Sequence, residues 1–359
     1  RDYMESEPWD QYFLACDEKH EYPLRWVKGL CDLGFDQIML NENCTDTLTA
    51  LLNAEKASAD SCSCAANGTA SAITYTENDR VITINGADFV YVYNKLTGMF
   101  DSMIYKNHSF LKRPMEMNIW RAPTDNDKSF GNWLAKDWSL HQMDNPRISL
   151  DFFKHEVRED GAVIVRIQTR NRYKEGMIVT KFLYTILSDG TIDLKTTFQP
   201  QGILPELPRL GIAFCLSSDY NTFIWQGRGP QDNYPDRKTS AAVGLWKRSV
   251  ADQYVHYPRP QDSGNKEEVR RLMLTDRHGK GIRVDAVEDV FSASALHYTA
   301  QDLYKETHDC NLKPRPEVIL SLDAAVLGLG NSSCGPGVLK KYAIDKKEHT
   351  LHIRICNEK

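Results

Sequence analysis

The chain has 359 residues, of which 41% are hydrophobic and 10% aromatic, and it carries a formal net charge of −5. That is length enough for two domains, or for one large β domain with an appendage, and apolar content enough for a sizeable core, so general disorder is excluded. The mild acidity argues against a sequence-independent nucleic-acid binder, which needs a basic face, and no apolar run approaches the ~18 residues that span a bilayer.

Residues 1–72 differ in texture from the rest of the chain. The start, Arg1-Asp2-Tyr3-Met4-Glu5, has neither an initiator Met nor the basic-then-apolar order of a signal peptide, and reads as internal to a longer gene product. Leu24, Val27, Leu30 and Cys31 recur at helical spacing, and Thr45 or Asp46 is placed to cap a second short helix through Leu48, Leu51, Leu52 and Ala54. From Ala57 to Ala72 the chain is almost wholly Ala, Ser, Cys and Gly, the composition of a linker. No chemistry is visible before residue 73. The nine Cys are odd in number and scattered, with no CxxC, and read mostly as free thiols of a reducing compartment, which favours the cytoplasm. Sequons at Asn43, Asn67, Asn107 and Asn331 matter only in a secreted chain.

From Ile73 the pattern changes to period two. Val81-Ile-Thr-Ile84 runs into the turn signal Asn85-Gly86, and Phe89, Tyr91 and Tyr93 alternate with Val90 and Val92. Val163, Val165 and Ile167 alternate with polar residues. So do Phe182, Tyr184 and Ile186, which a turn at Asp189-Gly190 leads into Ile192, Leu194, Thr196 and Phe198. Leu351, Ile353 and Ile355 form another such run. Short strands with turn signals about every ten residues predict a β-sandwich over residues 73–359, and the lack of a βαβ rhythm argues against a Rossmann fold or a complete TIM barrel.

Three segments carry polar chemistry. Asn118-Ile-Trp-Arg-Ala-Pro-Thr-Asp-Asn-Asp127 combines the flat face of Trp120 with Arg121, Asp125, Asn126 and Asp127, a mixture suited to sugar hydroxyls and a pyranose face. The other reading is a buried Trp120 ahead of an Asx-rich turn, with Arg121 paired to an acid. Trp225-Gln-Gly-Arg-Gly-Pro-Gln-Asp-Asn-Tyr-Pro-Asp-Arg237 is a constrained loop. The favoured reading is a structural corner in which Asp236 pairs with Arg237 or Arg228. Gly328-Leu-Gly-Asn-Ser-Ser-Cys-Gly-Pro-Gly337 reads as a mobile or tightly turned loop with one thiol. Cys334 there acts as a nucleophile only with a nearby base, which no local signature supplies. Asp125 and Asp127 alone do not make a metal site, and His256, His297 and His308 are too scattered for zinc.

In this order the segments Asn85-Gly-Ala-Asp-Phe89, Trp120-Arg-Ala-Pro-Thr-Asp-Asn-Asp127, Gly229-Pro-Gln-Asp-Asn-Tyr-Pro-Asp-Arg237 and Gly328-Leu-Gly-Asn resemble the C-terminal domain, or small-chain region, of family 2 β-galactosidases. Pro208-Arg-Leu-Gly211 and Tyr298-Thr-Ala-Gln-Asp-Leu303 fall where matching segments belong. The resemblance covers residues 73–358 and leaves 1–72 without a counterpart. It implies a mainly β fold: a large, twisted antiparallel two-sheet sandwich of the galactose-mutarotase-like kind (a supersandwich), here behind a short, partly helical N-terminal segment. It also implies that hydrolysis happens elsewhere. A retaining glycosidase needs two carboxyls about 5–5.5 Å apart, and in this family both are Glu residues of a separate TIM barrel, so no catalytic pair is assigned here.

What the resemblance leaves to this domain is packing on the barrel and shaping the rim of the sugar pocket. One loop of the family presents a Trp to the aglycone side. The matching position here is Cys334, and a thiol offers no comparable stacking face. Some members carry Cys there. Arg121, Asp125, Asn126 and Asp127 are expected in a polar loop facing barrel or concavity, Arg209 at a strand start near the concave face, and Asn233, Tyr234, Asp236 and Arg237 in a locked corner. The expected partners are a catalytic barrel domain or large subunit and carbohydrate, with a homo-oligomer open, and neither nucleic acid nor membrane. No cofactor is identifiable in the chain; a divalent metal is an option for the complete enzyme. The competing readings are a stand-alone carbohydrate-binding module and an aldose mutarotase or epimerase. The second needs an acid–base pair about the ring oxygen that the sequence does not display.

Overall fold

The computed structural model describes residues 73–128 and 134–358, so the helices and linker expected over residues 1–72 lie outside the described residues. Within the described residues, nineteen strands fall into three antiparallel sheets.

The first sheet is a five-stranded meander, β1 (Thr74–Glu77), β2 (Val81–Asn85), β3 (Phe89–Asn94), β4 (Phe100–Tyr105) and β5 (His108–Ser109). Asn85 still belongs to β2, opposite Val90, so the turn expected at Asn85-Gly86 sits one residue later, over Gly86 to Asp88.

The second is a nine-stranded sheet. Its members are β7 (Arg147–Val157), β8 (Val163–Arg172), β9 (Gly176–Ile186), β10 (Ile192–Gly202), β12 (Thr222–Gly229), β13 (Ala242–Ser249), β15 (Arg271–Thr275), β16 (Gly281–Ala286) and β19 (His349–Glu358). Its order is β13-β12-β15-β16-β19-β10-β9-β8-β7.

The third, again of five strands, runs β14-β17-β18-β11-β6. It contains β6 (Leu111–Asn118), β11 (Arg209–Leu216), β14 (Lys266–Val269), β17 (Phe291–Leu296) and β18 (Val318–Val326). Three short helices lie on the connections: α1 (Asp125–Lys128), α2 (Leu134–His141) and α3 (Ala300–Lys305). Helix α3 is fixed by a capping box in which the Thr299 side chain accepts from the Asp302 N–H while the Asp302 side chain accepts from the Thr299 N–H.

Alternation decides which face each strand buries. Val163, Val165 and Ile167 of β8, Phe182, Tyr184 and Ile186 of β9, and Ile192, Leu194 and Phe198 of β10 all point into one core. The two smaller sheets supply the opposite wall. Tyr93 of β3 and Phe100 of β4 meet Tyr184 of β9 edge-on at centroid distances of 5.1 and 5.2 Å. Such T-shaped pairs add about 0.5–1.5 kcal/mol each beyond their burial. The architecture is thus an antiparallel two-layer sandwich, as the alternation predicts, with one layer built from two adjoining five-stranded sheets. Gly190 makes the β9–β10 hairpin with a φ of +86°, a conformation that favours glycine.

In the third sheet, β11 faces the core through Ile212, Phe214 and Leu216. Its intervening residues, Arg209, Gly211, Ala213 and Cys215, therefore stand on the outer face.

Candidate functional site

The three polar segments singled out in the sequence, spread over some two hundred residues, close on one another. Arg121 follows β6, and its guanidinium makes a fork-to-fork pair with Asp127, Nε to Oδ2 at 3.1 Å and Nη2 to Oδ1 at 2.8 Å. It also donates to the carbonyl oxygens of Leu327 and Gly328, at 2.7 and 3.1 Å. Asp127 accepts in addition from the Thr124 N–H and Oγ1, both at 2.9 Å. Both charges are wholly buried. Burial works against the Arg121 cation, but the Asp127 carboxylate outweighs it and holds the guanidinium pKa above its ordinary value. The Trp138 ring of α2 lies 5.6 Å from the guanidinium.

Asn126, one residue away, points to the surface loop instead. Its Nδ2 donates to the Gly330 carbonyl at 2.7 Å, and its Oδ1 accepts from the Ser333 N–H at 3.1 Å and Oγ at 2.7 Å. Asp125 is exposed and exchanges hydrogen bonds with Gln261. The four residues expected to form one polar loop facing a partner are therefore divided. Asp125 and Asn126 face outward, whereas Arg121 and Asp127 are sealed inside and hold the chain ends of the loop at residues 327–328. Trp120 is buried, edge-on to Tyr304 at 5.4 Å.

The corner segment holds the same loop from the other side. Asp236 accepts from the Leu329 N–H at 2.9 Å and the Gly330 N–H at 2.7 Å. Gly328 is required beneath it, since a Cβ there would lie 2.9 Å from the Asp236 carboxyl carbon. The expected pairing of Asp236 with Arg237 or Arg228 gives way to this backbone cap. Arg237 donates to the Gly330 carbonyl at 2.6 Å and to Asn331 Oδ1 at 3.0 Å, while Arg228 pairs with Glu268 at 2.9 Å. Asn233 is stitched to the segment behind it. Its Oδ1 accepts from the Glu267 N–H at 2.7 Å, and its carbonyl accepts from Asn265 Nδ2 at 2.8 Å. Tyr234 is buried and donates to Asp262 Oδ2 at 2.8 Å. The product of all this bracing is a short surface loop with Cys334 exposed at its tip.

A second buried guanidinium, Arg209, opens β11 on the outer face. It lies 3.6 Å from Asp262 and 3.3 Å from Asp323. Asn118 donates to Asp323 Oδ1 at 2.9 Å. Burial, reinforced by Asp262, pushes the Asp323 carboxyl up to about 7 even though Arg209 and Asn118 pull it down. Sequence patterning does not single out Asp262 or Asp323. The signal for Asp323 is a lone acid inside the mostly apolar strand Val318–Val326. Asp262 belongs to a run of polar residues, Gln261 to Glu267, that are all buried. Its flanking Pro258 and Pro260 mark a loop without revealing that burial.

Among the described residues, no group of three or more His, Cys, Asp or Glu side chains is placed to hold a metal ion. No helix among them is long and apolar enough to cross a membrane.

Fold and site together define an antiparallel β-sandwich domain whose most elaborate bonding presents a loop. The family model for the β-galactosidase small chain matches residues 85–355, and the chain belongs to that family. It is 30% identical over 260 residues to a β-galactosidase of Priestia megaterium, covering 72% of this chain and 24% of that protein. It is 28% identical over 278 residues to one of Halalkalibacterium halodurans, covering 76% and 27%. With a Kluyveromyces lactis β-galactosidase the figures are 26% over 288 residues, 79% and 28%. The chain thus spans about a quarter of the length of the curated relatives it matches. Among solved structures, a putative aldose 1-epimerase of Escherichia coli K12 aligns over 80% of this chain and 99% of its own at 10% identity, with a TM-score of 0.42.

Proposed function

We propose that the sandwich is the non-catalytic part of a β-galactosidase, docking on a catalytic barrel supplied by a longer chain or a separate large subunit, and that the complete enzyme hydrolyses terminal β-galactosides. The observation that carries this reading is the convergence of three polar segments on one loop. Arg121, Asn126, Asp236 and Arg237 all spend hydrogen bonds on residues 327–333. A loop held this firmly, ending in exposed Cys334, is suited to meet another surface in a fixed position. On this reading Cys334, with Asn126 and Asp125 beside it, shapes the rim of the partner's sugar pocket and makes the carbohydrate contact. The small thiol leaves that rim open where an indole would close it. Any divalent metal belongs to the complete enzyme, and the cytoplasm is its compartment.

The test is hydrolysis of a chromogenic β-galactoside by the purified chain, with and without a barrel-bearing partner. The expected result is no turnover alone and turnover when the partner is added. Robust turnover by the chain alone overturns the reading, because a catalytic carboxyl pair would then lie within these residues.

A further inference from the structure

The outer face of the third sheet combines polar and very small side chains. Strand register sets Asn118, Gly211, Asp323 and Ser292 in one row across β6, β11, β18 and β17. The next row is Glu116, Ala213, Ser321 and Ser294. Residues opposite one another point to the same side, so these rows form one continuous surface. Gly211 leaves room for the fully buried Asp323 carboxylate beside it, since a Cβ there would lie 2.0 Å from its Oδ1. The small side chains of the second row leave a trough of ≈ 120 Å³, walled by Trp120 and Tyr298 and lined by Glu116, Arg209, Asp262, Ser294 and Ser321.

We propose that this trough is a binding site for a neutral polyhydroxylated molecule of about monosaccharide size, separate from the Cys334 loop. Two observations select that chemistry. The Arg209 side chain is only 5% exposed, lines the trough, and its Nε has no hydrogen-bond acceptor in the protein. A buried donor left in this condition calls for an acceptor. The lining also carries three carboxylates, of Glu116, Asp144 and Asp262, against the two guanidinium groups of Arg113 and Arg209, which disfavours an anion. A cation would leave the Arg209 donor unanswered. A hydroxyl both donates and accepts, so it satisfies acid and guanidinium together, and Trp120 gives the ring of such a ligand an apolar wall. The inference stands whether or not a barrel is the docking partner.

The experiment is calorimetric titration of the purified 359-residue chain with galactose, glucose, glycerol and, as the anionic arm, galactonate. Saturable binding of a neutral probe is expected, with galactonate weaker. Ala213→Leu, which fills the trough from its floor, should weaken binding about tenfold or more without lowering the melting temperature. Ser294→Ala, the milder change, should weaken it less, and Cys334→Ser should leave it unchanged. The proposal is overturned by no saturable response to any neutral probe, by tighter binding of galactonate than of galactose, by undiminished affinity in both trough variants, or by loss of binding in Cys334→Ser.

Discussion

Arg121 and Arg209 are both buried and both face aspartates, yet their surroundings differ in kind. Arg121 has a fork-to-fork carboxylate and two carbonyl acceptors, the longest contact being 3.1 Å. Arg209 reaches its two aspartates at 3.3 and 3.6 Å and keeps an unanswered Nε. A buried charge costs several kcal/mol to desolvate, and only close, complete bonding returns that cost. The first pair meets the condition and acts as a rivet between the segments at 121–127 and 327–328. The second leaves bonding capacity open to whatever enters the trough. The residue types are the same, and geometry alone separates a structural lock from a receptive surface.

The largest effect that tests this contrast is on the lock. Asp127→Ala strands a buried guanidinium and should cost about 3–5 kcal/mol, read as a lower urea midpoint at unchanged slope. An equal loss from Asp262→Ala would erase the distinction between the two pairs. The next effect is in pH. The folded chain holds the Asp323 proton to about pH 7, whereas the ordinary aspartate value is 3.8, so folding takes up a proton between those limits. The stabilisation is fully present below the ordinary value and is lost as pH rises through 7. Its size is on the order of a few kcal/mol. Asp323→Asn should flatten this decline between about pH 4 and 7, seen in urea midpoints across that range; an unchanged slope would assign the proton elsewhere. The smallest effect is at the loop. Asp236→Ala should cost about 1–3 kcal/mol and speed hydrogen exchange at the Leu329 and Gly330 amides.

Much of the sandwich was legible in the sequence because alternation is a local signal. Each of the alternating sets Val163 to Ile167, Phe182 to Ile186 and Leu351 to Ile355 is a buried strand face. The turn near Gly86 slipped by one residue because the pairing of Asn85 with Val90 extends β2 through the residue that would otherwise start the turn. The candidate site was legible only in pieces. Its three segments stood out by composition, but their closure joins residues two hundred positions apart through side-chain bonds to backbone, which leaves no periodic trace. Asp236 illustrates this. Its neighbouring arginines suggested an ion pair, whereas its partners are two amides that any residue could supply.

Strand β19 lies in the middle of the nine-stranded sheet, paired with β16 on one side and β10 on the other. Of all described strands it is the last to be synthesised. Without residues 349–358 the sheet would divide into two four-stranded halves, β7 to β10 and β12, β13, β15 and β16, each ending in an unpaired edge. Any state that has lost β19 is therefore the one most exposed to edge-to-edge aggregation, and that strand closes the sheet like a keystone.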